Sequence, residues 1–223
     1  MGASLYDRLK EACPEEWGAY TRHKFVRALG TGDLPEACFR HYLVQDYLFL
    51  IQFSRAYALS VYKADTIDDM RTAARTLGGI LDSEMGLHVR FCAEWGLSRE
   101  DLESAPEATA TIAYTRFVLE RGMAGDVLDL HTALAPCVVG YGEIARALLD
   151  DPATRHEGNP YRAWIDAYAG EEYQALANAA REQLDAMASR RLSAARLPAL
   201  ISTFSRATRL EAQFWQMGLD QTT

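Results

Sequence analysis

Residues 35–63 read PEACFRHYLVQDYLFLIQFSRAYALSVYK. Phe39, Tyr42, Leu43, Phe49, Leu50 and Phe53 recur at three- and four-residue intervals, the period of an α-helix and not of a strand. Asp33 stands just before the stretch and Pro35 falls in its first turn, a favourable start signal. The spacing predicts one long helix running to about Lys63. Asp46 falls in the middle of its apolar stripe. Carboxylates are seldom fully buried without a partner, because desolvating one costs several kcal/mol.

The same period governs the rest of the chain, and no convincing alternating run appears. Helices are predicted over about Glu15–Leu29, Asp68–Trp95, Ala108–Arg121, Asp126–Leu149, Pro160–Tyr168, Glu171–Ala188 and Ser193–Gly218. Ser98 is expected to cap a short helical turn with Glu100 and Asp101 in its first turn. Pro136 leaves open whether Asp126–Leu149 is one helix or two. With no repeats and no linker, residues 1–223 read as a single all-α domain, a bundle of roughly eight helices.

Composition narrows the function. The chain has 223 residues, 49% of them hydrophobic, with a formal net charge of -8. Acids are spread along it, and the clustered Lys and Arg that nucleic acid calls for are missing. The N-terminus lacks the apolar run of a signal peptide. No stretch reaches the roughly 18 uncharged apolar residues of a membrane span. Cys13, Cys38, Cys92 and Cys137 are far apart and form no CxxC pair, which argues against a zinc knuckle or thioredoxin-type site. A cytoplasmic protein with reduced thiols is the expectation.

Two further helices carry polar groups on apolar stripes. Phe204, Ala207, Glu211, Phe214, Trp215 and Gly218 form one; Leu130, Leu134, Cys137, Tyr141, Ile144 and Leu148 form the other. Each acid alone reads first as a helix edge or a structural hydrogen bond. Two acids and a cysteine on three core helices are how a bundle builds a ligand site. Tyr114, Tyr141 and Tyr168, each among apolar neighbours, suit the walls of a pocket for a flat, polar-edged heterocycle. If Pro136 opens a helix, Cys137 lies in its first turn, where the dipole favours thiolate; if it kinks one, Cys137 is as well read as an inert packed thiol. Glu84 and His88, four apart, read as a structural Glu–His hydrogen bond. Di-iron bundles ordinarily use paired motifs at three-residue spacing.

These segments resemble the TenA/thiaminase II family. Residues 39–50, FRHYLVQDYLFL, are similar to its YxxQDYxFL segment, and residues 84–88, EMGLH, to its ExxLH segment. Residues 134–144, LAPCVVGYGEI, resemble LxPCxxxYxEI; residues 159–168, NPYRAWIDAY, resemble PYxxWIxxY; residues 210–215, LEAQFW, resemble YExxFW. The five come in family order and span most of the chain. The resemblance implies a haem-oxygenase-like helical fold without haem, assembled as a homotetramer. It implies hydrolysis of 4-amino-5-aminomethyl-2-methylpyrimidine to the hydroxymethyl compound of thiamin salvage, with thiamin cleavage secondary, and no metal or organic cofactor. By position Cys137 is the nucleophile, Glu211 the catalytic carboxylate and Asp46 the acid holding the pyrimidine edge. Tyr114, Tyr141 and Tyr168 are pocket tyrosines and Phe214 a stacking aromatic. Phe49 replaces a Tyr of many members, so the ring there must hold substrate by stacking. Gly140 replaces a larger residue of some members, which would enlarge the pocket. Two other readings fit the residues: a metal-dependent oxidase using Asp46, Glu84, His88 and Glu211, and a non-catalytic pyrimidine- or thiamin-binding regulator. The expected partner throughout is a small molecule, not nucleic acid or a membrane.

Overall fold

Short polar caps and long apolar stripes divide the chain into helices joined by brief turns. The computed structural model describes residues 4–223, with the side chains of Ser83 and Leu87 outside that description. The start of the N-terminal segment read above for a signal, residues 1–3, and Leu87 of the EMGLH segment therefore lie outside the described residues. In chain order the helices are α1 (Leu5–Glu11), α2 (Pro14–Thr21), α3 (Lys24–Thr31), α4 (Glu36–Lys63), α5 (Ile67–Gly79), a π-helical turn (Ile80–Glu84), α6 (Met85–Ala93), α7 (Arg99–Ser104), α8 (Thr109–Ala124), α9 (Val127–Asp150), α10 (Arg162–Ala169), α11 (Glu171–Arg191) and α12 (Leu197–Asp220). Among the described residues there is no strand. The all-α expectation holds, and the 28-residue α4 ends where its spacing predicted.

Three local readings change. The helix expected over Glu15–Leu29 is broken at Arg22-His23, where the His23 side chain caps α3 by accepting from the Phe25 N–H. Leu5–Glu11 is helical and capped by Ser4, whose hydroxyl accepts from the Asp7 N–H; at seven residues it is too short to show a period. The stretch expected over Asp126–Leu149 is one helix, Val127–Asp150, with Pro136 inside it. Cys137 is therefore mid-helix, and the first-turn dipole reading of it falls. By length and composition alone α9 could cross a membrane, although it carries Asp129, Glu143 and Arg146, and 72% of its most apolar stretch is buried inside the protein, as in a core helix. The capping box at Ser98 and Asp101 forms as read.

The chain divides into two compact units, one made of Met1–Pro35 and His131–Gln216, the other of Glu36–Leu130 and Met217–Thr223. The core of the first is aromatic. Trp215 stacks on Phe25 at 5.0 Å and Trp17 on Phe204 at 5.8 Å, while Tyr6 meets both Trp17 and Phe204 edge-on. Such pairs add to the apolar area that each ring buries. Glu143 fastens α1 and α11 to α9: it accepts from the Tyr6 hydroxyl at 3.1 Å, pairs with Lys10 at 3.1 Å and bonds Arg181. The loop after α9 is tied down by Asn159, whose amide donates to the carbonyls of Leu29 and Gly30 at 3.1 and 2.8 Å.

The second unit is organised along α4. Gln45 is buried there, and its amide donates to the Pro106 carbonyl at 2.9 Å. Its oxygen accepts from the Ala108 N–H at 2.9 Å and the Thr111 hydroxyl at 2.7 Å, which anchors the start of α8. Lys63 donates to the carbonyls of Met123 and Gly125 at the other end of α8, where a cation suits the helix terminus. The π-helical turn follows Gly78-Gly79, and the Met85 N–H reaches back five residues to the Ile80 carbonyl.

Candidate active site

In the first unit α9 carries Cys137 and, one turn on, Tyr141. Helical side chains four apart share a face. Tyr141 lies among three rings, with centroids 5.1 Å from Tyr168, 5.2 Å from Trp215 and 5.8 Å from Trp164. On α12 Trp215 is likewise one turn from Glu211. The Tyr141–Trp215 contact thus joins the faces of α9 and α12 that carry the cysteine and the acid. Glu211 is 1% exposed and Phe214 is buried beside it in sequence. Cys137 is half-buried, whereas Cys13, Cys38 and Cys92 are buried. Burial pushes the Cys13 thiol up to about 11, with the charge of Glu16 adding to it, and burial likewise puts Cys92 at about 11. Neither suits a nucleophile, since the thiolate is the reactive form.

Gly140 does not open this region. A Cβ there would lie 2.6 Å from Tyr20 Cε1 and 2.8 Å from its hydroxyl oxygen. The missing side chain is replaced by the buried Tyr20 ring, whose hydroxyl donates to the Pro136 carbonyl at 3.2 Å. The enlarged pocket expected at Gly140 is therefore taken up by protein.

In the second unit Asp46 is 5% exposed on α4. It is not alone. His88 Nε2 lies 2.7 Å from Asp46 Oδ2, and the Tyr42 hydroxyl donates to the same oxygen at 3.3 Å. His88 Nδ1 is 3.0 Å from the main-chain carbonyl of Glu84. The expected Glu84–His88 bond thus runs to the backbone of Glu84, and the carboxylate His88 serves is Asp46. Burial would lower the His88 pKa, but its hydrogen bond to Asp46 and the charges of Asp46 and Glu84 outweigh this and hold it above the usual value. Phe49 packs against Tyr114 at 5.1 Å and Phe53 at 5.4 Å, so its ring belongs to an aromatic wall. Tyr114 is buried on α8, the helix that Gln45 anchors.

An oxidase reading would need at least three ligating side chains around one point. Among the described residues no three His, Cys, Asp or Glu side chains come together in that way.

Two buried acids, one on α4 and one on α12, aromatic clusters and a half-buried thiol agree with the comparison to known families. The model of the TENA/THI-4/PQQC family matches residues 11–221. The chain belongs to that family. A crystal structure from Silicibacter sp. TM1040, named a TenA family transcription regulator, aligns with TM-score 0.92 at 45% identity over 97% of each chain. The aminopyrimidine aminohydrolase of Halalkalibacterium halodurans is 35% identical over 222 residues, 99% of this chain and 96% of its own. A Shewanella denitrificans domain with a haem-oxygenase-like fold aligns with TM-score 0.72 at 13% identity, covering 99% of this chain and 94% of its own. The haem-oxygenase-like all-α fold expected for a TenA protein is thus the one observed. Sequence reasoning passed over Gln45, His88 as the partner of Asp46, and Glu143. All three stand inside the TenA-like segments, the one signal that could have drawn attention to them.

Proposed function

We propose that this TenA-family chain is a hydrolase of thiamin-related aminopyrimidines that converts the 5-aminomethyl compound to the 5-hydroxymethyl compound. The observation that carries the reading is Cys137. It is the least buried of the four thiols, on the α9 face whose next turn joins the ring contact with α12, and Glu211 stands one turn away on the facing stripe. The aminopyrimidine aminohydrolase name borne by the Halalkalibacterium relative supports the same substrate class.

The chemistry follows from the residue types. An aromatic aminopyrimidine does not readily release an amine from its 5-methylene group. Addition of the Cys137 thiolate to ring C6, with a proton passed from Glu211 to a ring nitrogen, breaks aromaticity and lets ammonia leave. Water adds to the exocyclic carbon and gives a proton to Glu211, and the C6–S bond breaks as the ring nitrogen gives its proton up to the released ammonia, which restores the ring. The balance is one water consumed and one ammonia released. Asp46 serves as acceptor for the 4-amino group, and Phe49, Tyr114, Tyr141, Tyr168 and Phe214 supply apolar faces for a flat ring. Burial of Glu211 away from water suits a group that must hold a proton for transfer.

The test is turnover of aminomethylpyrimidine and of thiamin by wild type and by Cys137→Ser, with metal content recorded. Hydrolysis by wild type that falls by about 100-fold or more in the Ser variant is expected. Turnover that survives the substitution would remove the nucleophile. Ligand binding without product would favour a non-catalytic regulator instead, in line with the name of the Silicibacter relative, a TenA family transcription regulator.

A further inference from the structure

Asp46 is held in an asymmetric way. Its Oδ2 receives both protein donors, His88 Nε2 at 2.7 Å and the Tyr42 hydroxyl at 3.3 Å. No hydrogen bond from a described residue reaches Oδ1, although Asp46 is 5% exposed and His88 3%. The other ring nitrogen of His88 fixes the protonation pattern. It lies 3.0 Å from the Glu84 carbonyl, and a carbonyl can only accept, so Nδ1 carries a proton. A single proton then remains to be shared between Nε2 and Oδ2. The carboxylate charge holds it on the ring, so the pair is an imidazolium and a carboxylate. Removing the cation would leave a buried acid without the donor that fixes its Oδ2.

We propose that His88 is a positioning and specificity residue: by occupying Oδ2 as a donor it makes Asp46 an acceptor-only group, whose Oδ1 selects a pyrimidine edge that donates, a 4-amino group, over an edge that only accepts. The inference rests on the assignment of Asp46 to the pyrimidine edge made above. Acceptor facing acceptor leaves two buried groups unpaired, which is how a polar site rejects a near-isostere.

The experiment measures dissociation constants for two ligands, the hydroxymethyl product and its 4-methoxy analogue, whose edge only accepts. Wild type, His88→Phe and His88→Gln are compared, and turnover of the aminomethyl substrate is recorded alongside. In His88→Phe the 4-amino ligand is expected to weaken by about tenfold or more, the worth of a charge-assisted hydrogen bond, while the 4-methoxy ligand changes far less. His88→Gln, which keeps a neutral donor, should recover part of the preference, and it carries the comparison should His88→Phe not fold. In both variants KM should rise more than kcat falls. A preference unchanged from wild type, or both ligands weakened equally with kcat and KM moving together, would overturn the inference while leaving hydrolysis intact. Wild type that neither binds the product nor turns over the substrate would instead overturn the functional reading, and this inference with it.

Discussion

Glu211 and Asp46 are both nearly inaccessible to water, 1% and 5% exposed, yet they are asked to do different work. Glu211 is proposed to move a proton, and Glu211→Gln should leave the melting temperature near that of wild type and cut turnover by about 100-fold or more; near-normal turnover would take Glu211 out of the mechanism. Asp46 is proposed to hold charge, and its partner gives the protein a pH dependence. Burial lowers the His88 pKa, but Asp46 and Glu84 more than offset this and raise it. A raised folded-state pKa stabilises fully below the unfolded value, about 6.5, and that contribution is lost as pH climbs through the folded value. The melting-temperature gap between wild type and His88→Gln should therefore be widest at about pH 6 and narrow toward alkaline pH. A gap constant across that range would contradict the ion pair. Both acids were legible in the sequence, because a carboxylate on an apolar stripe is conspicuous. The partner of Asp46 was not: 42 residues separate it from His88, whereas Glu84 offered a local partner at helical spacing.

At the scale of the element, α9 shows how a substitution can be filled by a neighbour. Gly140 lets the Tyr20 ring of α2 reach the Pro136 carbonyl. Tyr20 is fully buried and stacks on Trp215 at 6.3 Å, so it has little room to retreat. Gly140→Ala should thus destabilise the protein by about 1–3 kcal/mol, the usual cost of overpacking, although alanine is the better helix former. Urea unfolding would read this, and a neutral or stabilising result would show that Tyr20 yields. Sequence alone located α9 and its interior proline. It could not tell an empty space from one filled by a ring more than a hundred residues away. The break between α2 and α3 was hidden for a related reason: it is made by a histidine cap, without the Gly or Pro that marks other helix ends in this chain.

At the scale of the whole molecule, exposure sorts the four thiols. Cys13, Cys38 and Cys92 are buried and Cys137 is half-buried. Brief treatment of the folded protein with iodoacetamide at about pH 8 should give a single adduct, on Cys137, because the other three thiols are buried away from reagent and burial also holds Cys13 and Cys92 near pKa 11, where little thiolate is present. Several adducts forming together, read by mass spectrometry, would contradict this ordering. The all-α character was legible throughout, since a 3.6-residue period survives every change of composition. The division into two compact units was not, because each unit is assembled from two separated stretches and no linker marks the join. The π-helical turn at Ile80–Glu84 has a consequence of another kind. Such a turn is one residue more than an α-helix would use, and one residue is about 100° of rotation. Loss of a single codon there would change the composition hardly at all, yet would swing His88 away from Asp46. Among relatives, a one-residue gap at this place should mark proteins whose acid has lost its imidazole, and with it their taste for an amino-bearing ring.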